Sequence, residues 1–528
     1  MTAPRVITEE LGGSRISRDA QAGALPQWYR GLPHGQSGWR AYLEEVARAH
    51  QPGTWLAELN GALQATGRAA ERITRVAHKG GVVVSTGQQS GLFGGPIYTL
   101  SKALTARALA DTIEHLTGIP AVPVFWAATD DADFDESSWT QIAVPGGLQT
   151  LRLTVRPPAG TPMASAPLGE IAPLLRQLDE ACGSLVDPTP LSAARAAYAP
   201  GETIAGAYLR LLRTLFAPLG ISVLDASHPA VRTSGRRILQ RALERASEIE
   251  RALELRSEAI RAAGYSPQVE QVRGLSLVFS EIGGTKQRIA VHQTSAARTS
   301  VPVEHLSPNV LLRPLIERAI MPSAAYVAGP GEIAYFAQVS AVADAVEVPV
   351  PLVVPRWSTT IIEPRIQRLL DRFGIDRSEL ARPDAVETRL ARAALPSAIA
   401  DAVQTLRRDL EADIAALEVV DGDELIPPAS IQGLRRSLLH RVERLDRRYV
   451  AAVKRREQET MRDLATLRAA LYPNGERQER ALNFLPLLAR YGPPLLADMV
   501  THAEAYATRL TGAVSAPPEQ TSTPLTRA

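Results

Sequence analysis

Five short apolar runs recur along the first two thirds of the chain, and each has the length of a strand. They are Val82–Ser85, Val122–Thr129, Ile221–Asp225, Ala324–Ala328 and Val350–Pro355. Continuous apolar runs, rather than alternating ones, are typical of parallel strands that are buried on both faces. A helical pattern over 97–116 follows the first run. The pattern therefore predicts an α/β fold with a Rossmann-type parallel-sheet core.

The runs lie too far apart for plain strand–helix units, so the core is expected to contain two insertions, at 140–220 and 232–323. The second insertion alternates apolar and polar residues over 274–293, which is typical of a hairpin that turns at Gly283 and Gly284. From residue 385, apolar residues recur at spacings of three and four, pause at Asp421–Pro428 and then resume. This spacing indicates an appended antiparallel α-helical coiled-coil arm.

The predicted organisation follows from these patterns. Its segments are an N-terminal segment with the first half of the core (1–139), the first insertion (140–220), a core strand (221–231), the second insertion (232–323), the second half of the core (324–384), the coiled-coil arm (385–483), a C-terminal helical segment (484–511) and a disordered tail (512–528). The tail is rich in Pro, Ser and Thr, which bury too little apolar surface to offset the entropy of folding.

Composition narrows the class of protein. The 528 residues carry a net charge of +2 without the clustered basic surface that nucleic acids need, so we expect neither DNA nor RNA as a partner. No apolar run reaches the length of about 18 residues that a membrane span requires, and no signal pattern is present, so we expect a cytoplasmic protein without membrane contact. The single Cys182 excludes an intrachain disulfide and fits a reducing compartment.

A glycine-rich loop joins the first strand to its helix and is a candidate site for an anion, because glycines let backbone N–H groups approach a ligand closely. It is neither a P-loop nor a dinucleotide GxGxxG motif, and a tight strand–helix connection is the alternative. Lys102, one of four lysines in an arginine-rich chain, lies on the following helix and is a candidate for phosphate or carboxylate binding, or else a surface lysine. The candidate ligand-binding residues of the loop are Gly87, Gln88, Gln89, Gly91 and Gly94.

Carboxylates follow the second strand at once, where open α/β sheets place their ligands. Asp130, Asp131 and Asp133 are the candidate catalytic residues. Such a cluster could bind a substrate ammonium, hold Mg²⁺ against a nucleotide, or supply a general base. The alternative is a solvated acidic turn that caps the next segment. No metal ligand can be assigned from this pattern.

Four further groups of polar residues and glycines are candidates for binding a substrate or nucleotide. Asn309 and Arg313 are four residues apart and would share one face of a helix, where they could clamp a carboxylate or serve as a buried anchor. The other groups follow the last two core runs and are Gly329 with Gly331, Glu332, and Arg356. Glu332 could instead stabilise the first turn of a helix.

Long blocks of the chain resemble the family of bacillithiol-synthesis cysteine-adding enzymes. The blocks are TGQQSGLFGGPIYTLSKA (Thr86 to Ala103), PVFWAATDDADFDE (Pro123 to Glu136), SPNVLLRPL (Ser307 to Leu315), MPSAAYVAGPGEIAYFAQ (Met321 to Gln338), VPLVVPRWS (Val350 to Ser358) and PNGERQERALN (Pro473 to Asn483). The resemblance covers most of the chain and implies that the two insertions correspond to the connecting peptides of nucleotide-dependent ligases. It also implies a ligase that adds L-cysteine to the amine of glucosaminyl malate and forms bacillithiol, in the last step of that pathway.

Amide formation from a free carboxylate requires activation, so ATP or another nucleotide with Mg²⁺ is the expected cofactor, through an acyl adenylate or an acyl phosphate. The chain departs from the family in the acidic stretch, since members usually carry Glu-Asp-His-Asp where this chain has Asp-Asp-Ala-Asp over 130–133. A carboxylate would then have to replace any role of that histidine.

Two other functions stay open: a nucleotide-dependent amino-acid-activating or nucleotidyltransferase-like enzyme with another substrate, and a catalytically silent coiled-coil scaffold. The apolar seam of the arm would be poorly covered by one hairpin alone, so we expect a homodimer through the arm.

Overall fold

A computed structural model describes residues 3–382, 384–420 and 426–512. Within these ranges, no helix has both the length and the apolar character needed to cross a lipid bilayer. Residues 421–425 of the predicted break at Asp421–Pro428, and all of the predicted tail after Gly512, lie outside the described residues. The described chain divides into two compact units. The first is formed from Met1–Ile142, Thr150–Ile361 and Glu479–Ala528, and the second from Ala143–Gln149 and Ile362–Gln478.

The strands are β1 (Arg5–Glu9), β2 (Val82–Gln89), β3 (Ala121–Ala128), β4 (Trp139–Val144), β5 (Gly147–Arg152), β6 (Ser222–Asp225), β7 (Leu275–Ile282), β8 (Thr285–Ala290), β9 (Leu306–Pro308), β10 (Ser323–Ala328), β11 (Val353–Pro355) and β12 (Ser358–Ile362). The helices before the arm are α1 (Arg15–Gln21), α2 (Gly35–Arg48), α3 (Thr54–Leu63), α4 (Gly67–His78), α5 (Ile97–Thr117), α6 (Phe134–Ser137), α7 (Ala172–Cys182), α8 (Thr189–Ala197), α9 (Ile204–Phe216), α10 (Pro229–Ser234), α11 (Arg236–Glu244), α12 (Ala246–Ala262), α13 (Thr294–Ser300), α14 (Arg313–Ile320) and α15 (Pro330–Val346).

The remaining helices are α16 (Pro364–Phe373), α17 (Ala385–Ala393), α18 (Ser397–Val420), α19 (Pro428–Arg456), α20 (Gln458–Leu471), α21 (Gln478–Ala481) and α22 (Leu485–Thr511). Short 3₁₀ turns connect several of these elements.

The first unit is built on a parallel sheet of five strands in the order β11-β10-β2-β3-β6. These are the five strands that the apolar runs predict, so the predicted Rossmann-type core is confirmed. Val82, Val83 and Val84 are fully buried in the middle of the sheet. The neighbouring helices α5 and α15 are buried around most of their circumference, which agrees with the continuous apolar character of the central strands.

The predicted hairpin of the second insertion is also confirmed. Strands β7 and β8 pair in antiparallel fashion and turn at Gly283 and Gly284, and β9 pairs with β7 on the other side. Arg288 lies directly across from Phe279 in this pairing. Because side chains alternate along a strand, Lys286 and Arg288 project from the same face of β8.

The second unit contains the helical arm. Arg407 of α18 pairs with Glu443 of α19 at 3.0 Å, and the later Glu418 of α18 accepts from the earlier Gln432 of α19, so the two helices are antiparallel and the predicted helical hairpin is confirmed. Near its base, Arg468 pairs with Glu387 at 2.7 Å. Large apolar side chains stay exposed along the two long helices, at Leu406, Leu417, Leu434 and Leu445.

Candidate active site

A cleft of about 620 Å³ lies at the carboxyl ends of the core strands. Each of the five strands contributes a residue from its end or from the segment just beyond it, and these residues are Gln89, Asp130, Ala226, Gly329 and Arg356. Parallel sheets commonly bind ligands at this edge, because the loops that follow successive strands converge there. The side chains that line the cleft include seven cations and three carboxylates, so the lining carries a net positive charge although the chain is nearly neutral.

The glycine-rich loop reaches the cleft only through its first residues. Gly87, Gln88 and Gln89 line it, whereas Gly91 and Gly94 do not. A Cβ atom on Gly91 would lie 2.8 Å from the Cα of Gly95, and one on Gly94 would lie 2.7 Å from the ring of Phe484. Gly94 also has a φ of +86°, which favours glycine. These two glycines are therefore required by the packing of the loop, and the structure does not bring them to the ligand-binding surface as expected.

Lys102 lies beneath the first part of this loop and is only 3% exposed. Its Nζ donates to the carbonyl of Gly87 at 2.7 Å and to Oε1 of Gln88 at 3.0 Å, and it lies 2.5 Å from Oε2 of Glu332. Burial lowers the pKa of Lys102, although Glu332 opposes that shift. Because an ammonium group has three N–H donors, these three contacts leave none for a phosphate. In this structure Lys102 fixes the loop to α15.

Glu332 occupies the N-terminal end of α15. It accepts hydrogen bonds from the backbone N–H of Gly329 at 2.7 Å and from the hydroxyl of Tyr326 at 2.6 Å. Burial alone would raise its pKa, but Lys102 and Arg313 hold that pKa below its ordinary value. Gly329 and Gly331 both line the cleft. A carboxylate of the protein thus lies at the N-terminal end of α15 and accepts the backbone N–H of Gly329, the residue before the helix.

Asn309 and Arg313 line the cleft, but they do not share a helix as expected. Asn309 precedes α14, where its Oδ1 accepts the backbone N–H groups of Leu311 and Leu312 at 3.1 Å. Arg313 begins the helix and donates to the hydroxyls of two tyrosines, Tyr326 at 2.9 Å and Tyr335 at 3.0 Å. The two side chains therefore have separate structural partners.

Arg356 is held by a bidentate ion pair. Its two terminal nitrogens donate to the two carboxylate oxygens of Glu479, each at 2.7 Å, and both residues are 2% exposed. Glu479 also accepts from the hydroxyl of Ser358 at 2.7 Å and from the backbone N–H of Thr359 at 3.2 Å. Arg356 reaches the cleft, but its charge is balanced within the protein.

The three candidate catalytic carboxylates differ in their surroundings. Asp130 lies between Lys286 at 3.4 Å and Arg232 at 3.8 Å. Burial alone would raise the pKa of Asp130, but these two cations hold it below its ordinary value. Asp133 is exposed, caps the short helix α6 by accepting the N–H of Glu136 at 3.0 Å, and does not line the cleft.

Asp131 has the position that a catalytic carboxylate needs. It lines the cleft, is partly exposed, and accepts from Nε2 of Gln89 at 2.5 Å. In the described part of the chain, no cation lies within ion-pair distance of it. Asp131 is therefore the carboxylate of the cleft that is available to a ligand.

Several cations of the cleft were not among the sequence-based candidates, namely Arg232, Lys286, Arg288 and Arg480. Two signals could have identified part of this set. Lysine is scarce in the whole chain, and the argument that selected Lys102 applies equally to Lys286. Lys286 and Arg288 also alternate on one face of the hairpin that the sequence predicts. Nothing local marks Arg232 or Arg480, because only the tertiary fold brings them to the cleft.

Among the described residues, no three His, Cys, Asp or Glu side chains converge in a group that could hold a metal ion by themselves. A magnesium ion bound to nucleotide phosphates needs fewer protein ligands, because Mg²⁺ keeps several waters and takes only one or two carboxylates from a protein. Asp131 is a ligand of the required type at the required edge of the sheet.

Two family models match the chain and together cover most of it. The model described as "Bacillithiol biosynthesis BshC, N-terminal Rossmann-like domain" matches residues 20–357. The model described as "Bacillithiol biosynthesis BshC, C-terminal coiled-coil domain" matches residues 359–511. These matches confirm the family resemblance and the combination of a Rossmann-like core with a coiled-coil region.

Individual relatives are similar over nearly their whole length, and each bears the name "Putative cysteine ligase BshC". The protein from Solibacter usitatus is 31% identical over 467 residues, which cover 85% of this chain and 87% of that protein. The protein from Koribacter versatilis is 31% identical over 513 residues, which cover 92% of this chain and 94% of that protein. The protein from Geobacillus thermodenitrificans is 27% identical over 458 residues, covering 80% and 82%.

Proposed function

Because the chain belongs to the BshC family of bacillithiol biosynthesis, we propose that it joins L-cysteine to the amine of glucosaminyl malate and so forms bacillithiol, in the last step of that pathway. The observation that supports this proposal most strongly is the cationic cleft at the carboxyl edge of the sheet with one available carboxylate, Asp131. Both substrates carry carboxylates, which a positive cleft attracts. The amine substrate also carries an ammonium group, which a free carboxylate can bind.

In the proposed reaction, Asp131 holds the amine of glucosaminyl malate and accepts a proton from it. The amine must be neutral to attack a carbonyl carbon, so the carboxylate acts as the general base that takes the proton of the attacking amine, while the group that activates the cysteine carboxyl leaves with the bonding electron pair. Gln89 donates to Asp131 and fixes the direction of its carboxylate. The family histidine that is replaced by Ala132 is not needed in this scheme, because proton transfer uses the neighbouring carboxylate.

ATP with Mg²⁺ is the proposed cofactor and would supply the activation of the cysteine carboxylate. The residues present fit such a polyanion. Arg480 is exposed at the cleft, and among the described residues no carboxylate lies within ion-pair distance of it. The backbone at Gly329 and Gly331 lines the same space without side chains. ATP and a free cysteine thiol are both available in a reducing cytoplasm, which is the proposed location of the reaction.

The decisive experiment incubates the purified protein with L-cysteine, glucosaminyl malate, ATP and MgCl₂ and follows products by mass spectrometry. We expect bacillithiol to form, and to disappear when any one component is omitted. Cysteine-dependent cleavage of ATP without bacillithiol, in the presence of glucosaminyl malate, would instead indicate an amino-acid-activating enzyme with another acceptor. Absence of both turnover and substrate binding would contradict the ligase proposal and favour a scaffold.

A further inference from the structure

One wall of the cleft carries more positive charge than the protein itself balances. The wall consists of Arg232 on α10 together with Lys286 and Arg288 on β8, and we call it the hairpin wall. Asp130 is the carboxylate that pairs with Lys286 and Arg232. No carboxylate in the described part of the chain lies within ion-pair distance of Arg288. Three cations thus share one carboxylate, and the wall has an excess of two positive charges.

Further contacts, besides the ion pairs of Lys286 and Arg232 with Asp130, hold the three cations in place. Arg288 donates through Nε and one terminal nitrogen to the carbonyl of Ser276, at 3.0 and 2.8 Å. Its guanidinium carbon and the Nζ of Lys286 lie 5.9 and 5.0 Å from the centre of the Phe279 ring. Arg232 is 4% exposed and donates to the carbonyl of Leu306, while its Nε has no hydrogen-bond partner. Pre-positioned cations with unused donors are what a tightly bound anion requires.

The order of negative and positive side chains along the cleft indicates which kind of anionic ligand fits it. Asp131 and Asp130 are adjacent in sequence, but Asp131 is bonded to Gln89 on the glycine-loop side and Asp130 to the hairpin wall. A free negative charge therefore lies beside a wall with two surplus positive charges. A small molecule with an ammonium group at one end and two carboxylates at the other matches this order by itself, whereas a nucleotide matches it only when its Mg²⁺ faces Asp131.

We propose that the hairpin wall is a dicarboxylate subsite, in which Arg288 determines specificity by binding the malyl group of the amine substrate. This inference rests on the proposed function and goes beyond it by assigning the two ends of one substrate to two parts of the cleft. The surplus of two positive charges equals the charge of the two carboxylates. The planar guanidinium of Arg288 can donate to a carboxylate through its remaining N–H groups.

The test compares wild-type protein with Arg288→Gln and Arg288→Lys, and uses Arg273→Gln as the matched control. Arg273 belongs to the same insertion and its side chain is 87% exposed. Binding of glucosaminyl malate is measured by calorimetry, and KM and kcat by mass spectrometry. We expect Arg288→Gln to raise Kd and KM about 10- to 100-fold, since a hydrogen bond to a charged group contributes about 1.5–3 kcal/mol. We expect kcat at saturation to change less than about twofold, because the subsite acts in binding.

A change to the ligand separates this subsite from other anion sites. The dimethyl ester of glucosaminyl malate has no carboxylates, so it should bind wild type and Arg288→Gln equally weakly. Arg288→Lys should recover part of the affinity, and Arg273→Gln should behave as wild type. An unchanged Kd for glucosaminyl malate in Arg288→Gln would overturn the proposal. So would weaker binding of a non-hydrolysable ATP analogue with unchanged glucosaminyl malate binding, which would identify a phosphate site instead. If wild type makes bacillithiol, either result defeats only the subsite, whereas no binding and no bacillithiol in wild type defeats the proposed function as well.

Discussion

The two sides of the cleft use the same kinds of charged residues in opposite ways. On the glycine-loop side, Lys102 pairs with Glu332 at 2.5 Å, and Arg356 pairs with Glu479 at 2.7 Å in a fully buried pair. On the hairpin wall, three cations share Asp130. On the glycine-loop side, the charges of Lys102 and Arg356 are paired within the protein. On the hairpin wall, two positive charges have no carboxylate partner and can interact with a ligand.

This difference separates structural cations from ligand-binding ones. A buried pair costs desolvation of both ions, and its attraction offsets that cost only with good geometry, so such a pair is sensitive to loss of one partner. A cation without a carboxylate partner can gain interaction energy when an anion enters. Mutations on the glycine-loop side should therefore act first on stability, whereas mutations of unpaired groups should act first on binding and turnover.

The largest effect is expected when one partner of the buried Arg356–Glu479 ion pair is removed. Glu479→Gln would leave Arg356 buried without a compensating charge, which should lower the free energy of unfolding by about 3–5 kcal/mol. Denaturation by urea, monitored by circular dichroism, measures this change. Glu476→Gln is the matched control, because Glu476 is exposed nearby in sequence. A stability equal to wild type in Glu479→Gln would show that the pair does not hold this side together.

Asp131→Asn tests the free carboxylate that lies between the two sides. We expect bacillithiol formation to fall by about 10²-fold or more, because an amide cannot accept the proton from the amine. Asp133→Asn is the control, since Asp133 is exposed and outside the cleft. Its activity should stay within about twofold of wild type. Equal losses in both variants would mean that the acidic stretch acts as a unit, and full activity in Asp131→Asn would remove the proposed base.

Glu317 is buried on α14, and its carboxyl makes the stability of the protein depend on pH. Burial raises the pKa of its carboxyl from 4.5 to about 7, although Arg313 at 3.6 Å opposes the shift. Between about pH 4.5 and 7 the carboxyl of Glu317 is protonated in the folded state but ionised in the unfolded state. Its contribution to the free energy of unfolding is therefore fully present below about pH 4.5 and is lost as the pH rises to about 7. Glu317→Gln should be more stable than wild type above pH 7 by up to about 3 kcal/mol.

The measurement for Glu317 is the difference in unfolding free energy between variant and wild type from pH 5 to pH 8. That difference should grow in favour of the variant as the pH increases. Glu304→Gln, at an exposed position, should show no such trend. A difference that is flat across this range, or that favours wild type at pH 8, would contradict the raised pKa.

The smallest change in free energy per substituted residue is expected in the arm, where the groups exposed to solvent are apolar rather than charged. We propose that the exposed leucines, such as Leu406 and Leu434, are covered in a homodimer. Light scattering at micromolar concentration should give the mass of a dimer, and Leu406→Glu with Leu434→Glu should give a monomer. A monomeric wild-type protein would disprove this assembly. Leu464, on the neighbouring helix α20, is fully buried in the structure and is therefore not one of the exposed leucines.

Sequence patterns predicted the elements of the core because the relevant signal is local. A strand such as β2 is apolar at its first three positions, and this property is visible without knowing its neighbours. The order of five such runs, together with the following helix and acidic stretch, also predicted that Gln89 and Asp131 would lie at one edge of the sheet. The family resemblance extended this prediction to the ligase class and to the coiled-coil region.

The roles of individual charged residues were decided by the tertiary structure alone. Arg356 and Glu479 are 123 positions apart, and Lys286 and Asp130 are 156 apart, so no local pattern relates the members of either pair. Gly91 and Gly94 resemble anion-binding glycines in sequence, but they are required by contacts with Gly95 and with Phe484 far along the chain. The sequence by itself determined which strands form and which chemical groups collect at their ends. Which of those groups remains free for a ligand depends on long-range charge pairing, because the energy of a charge depends on what surrounds it in space.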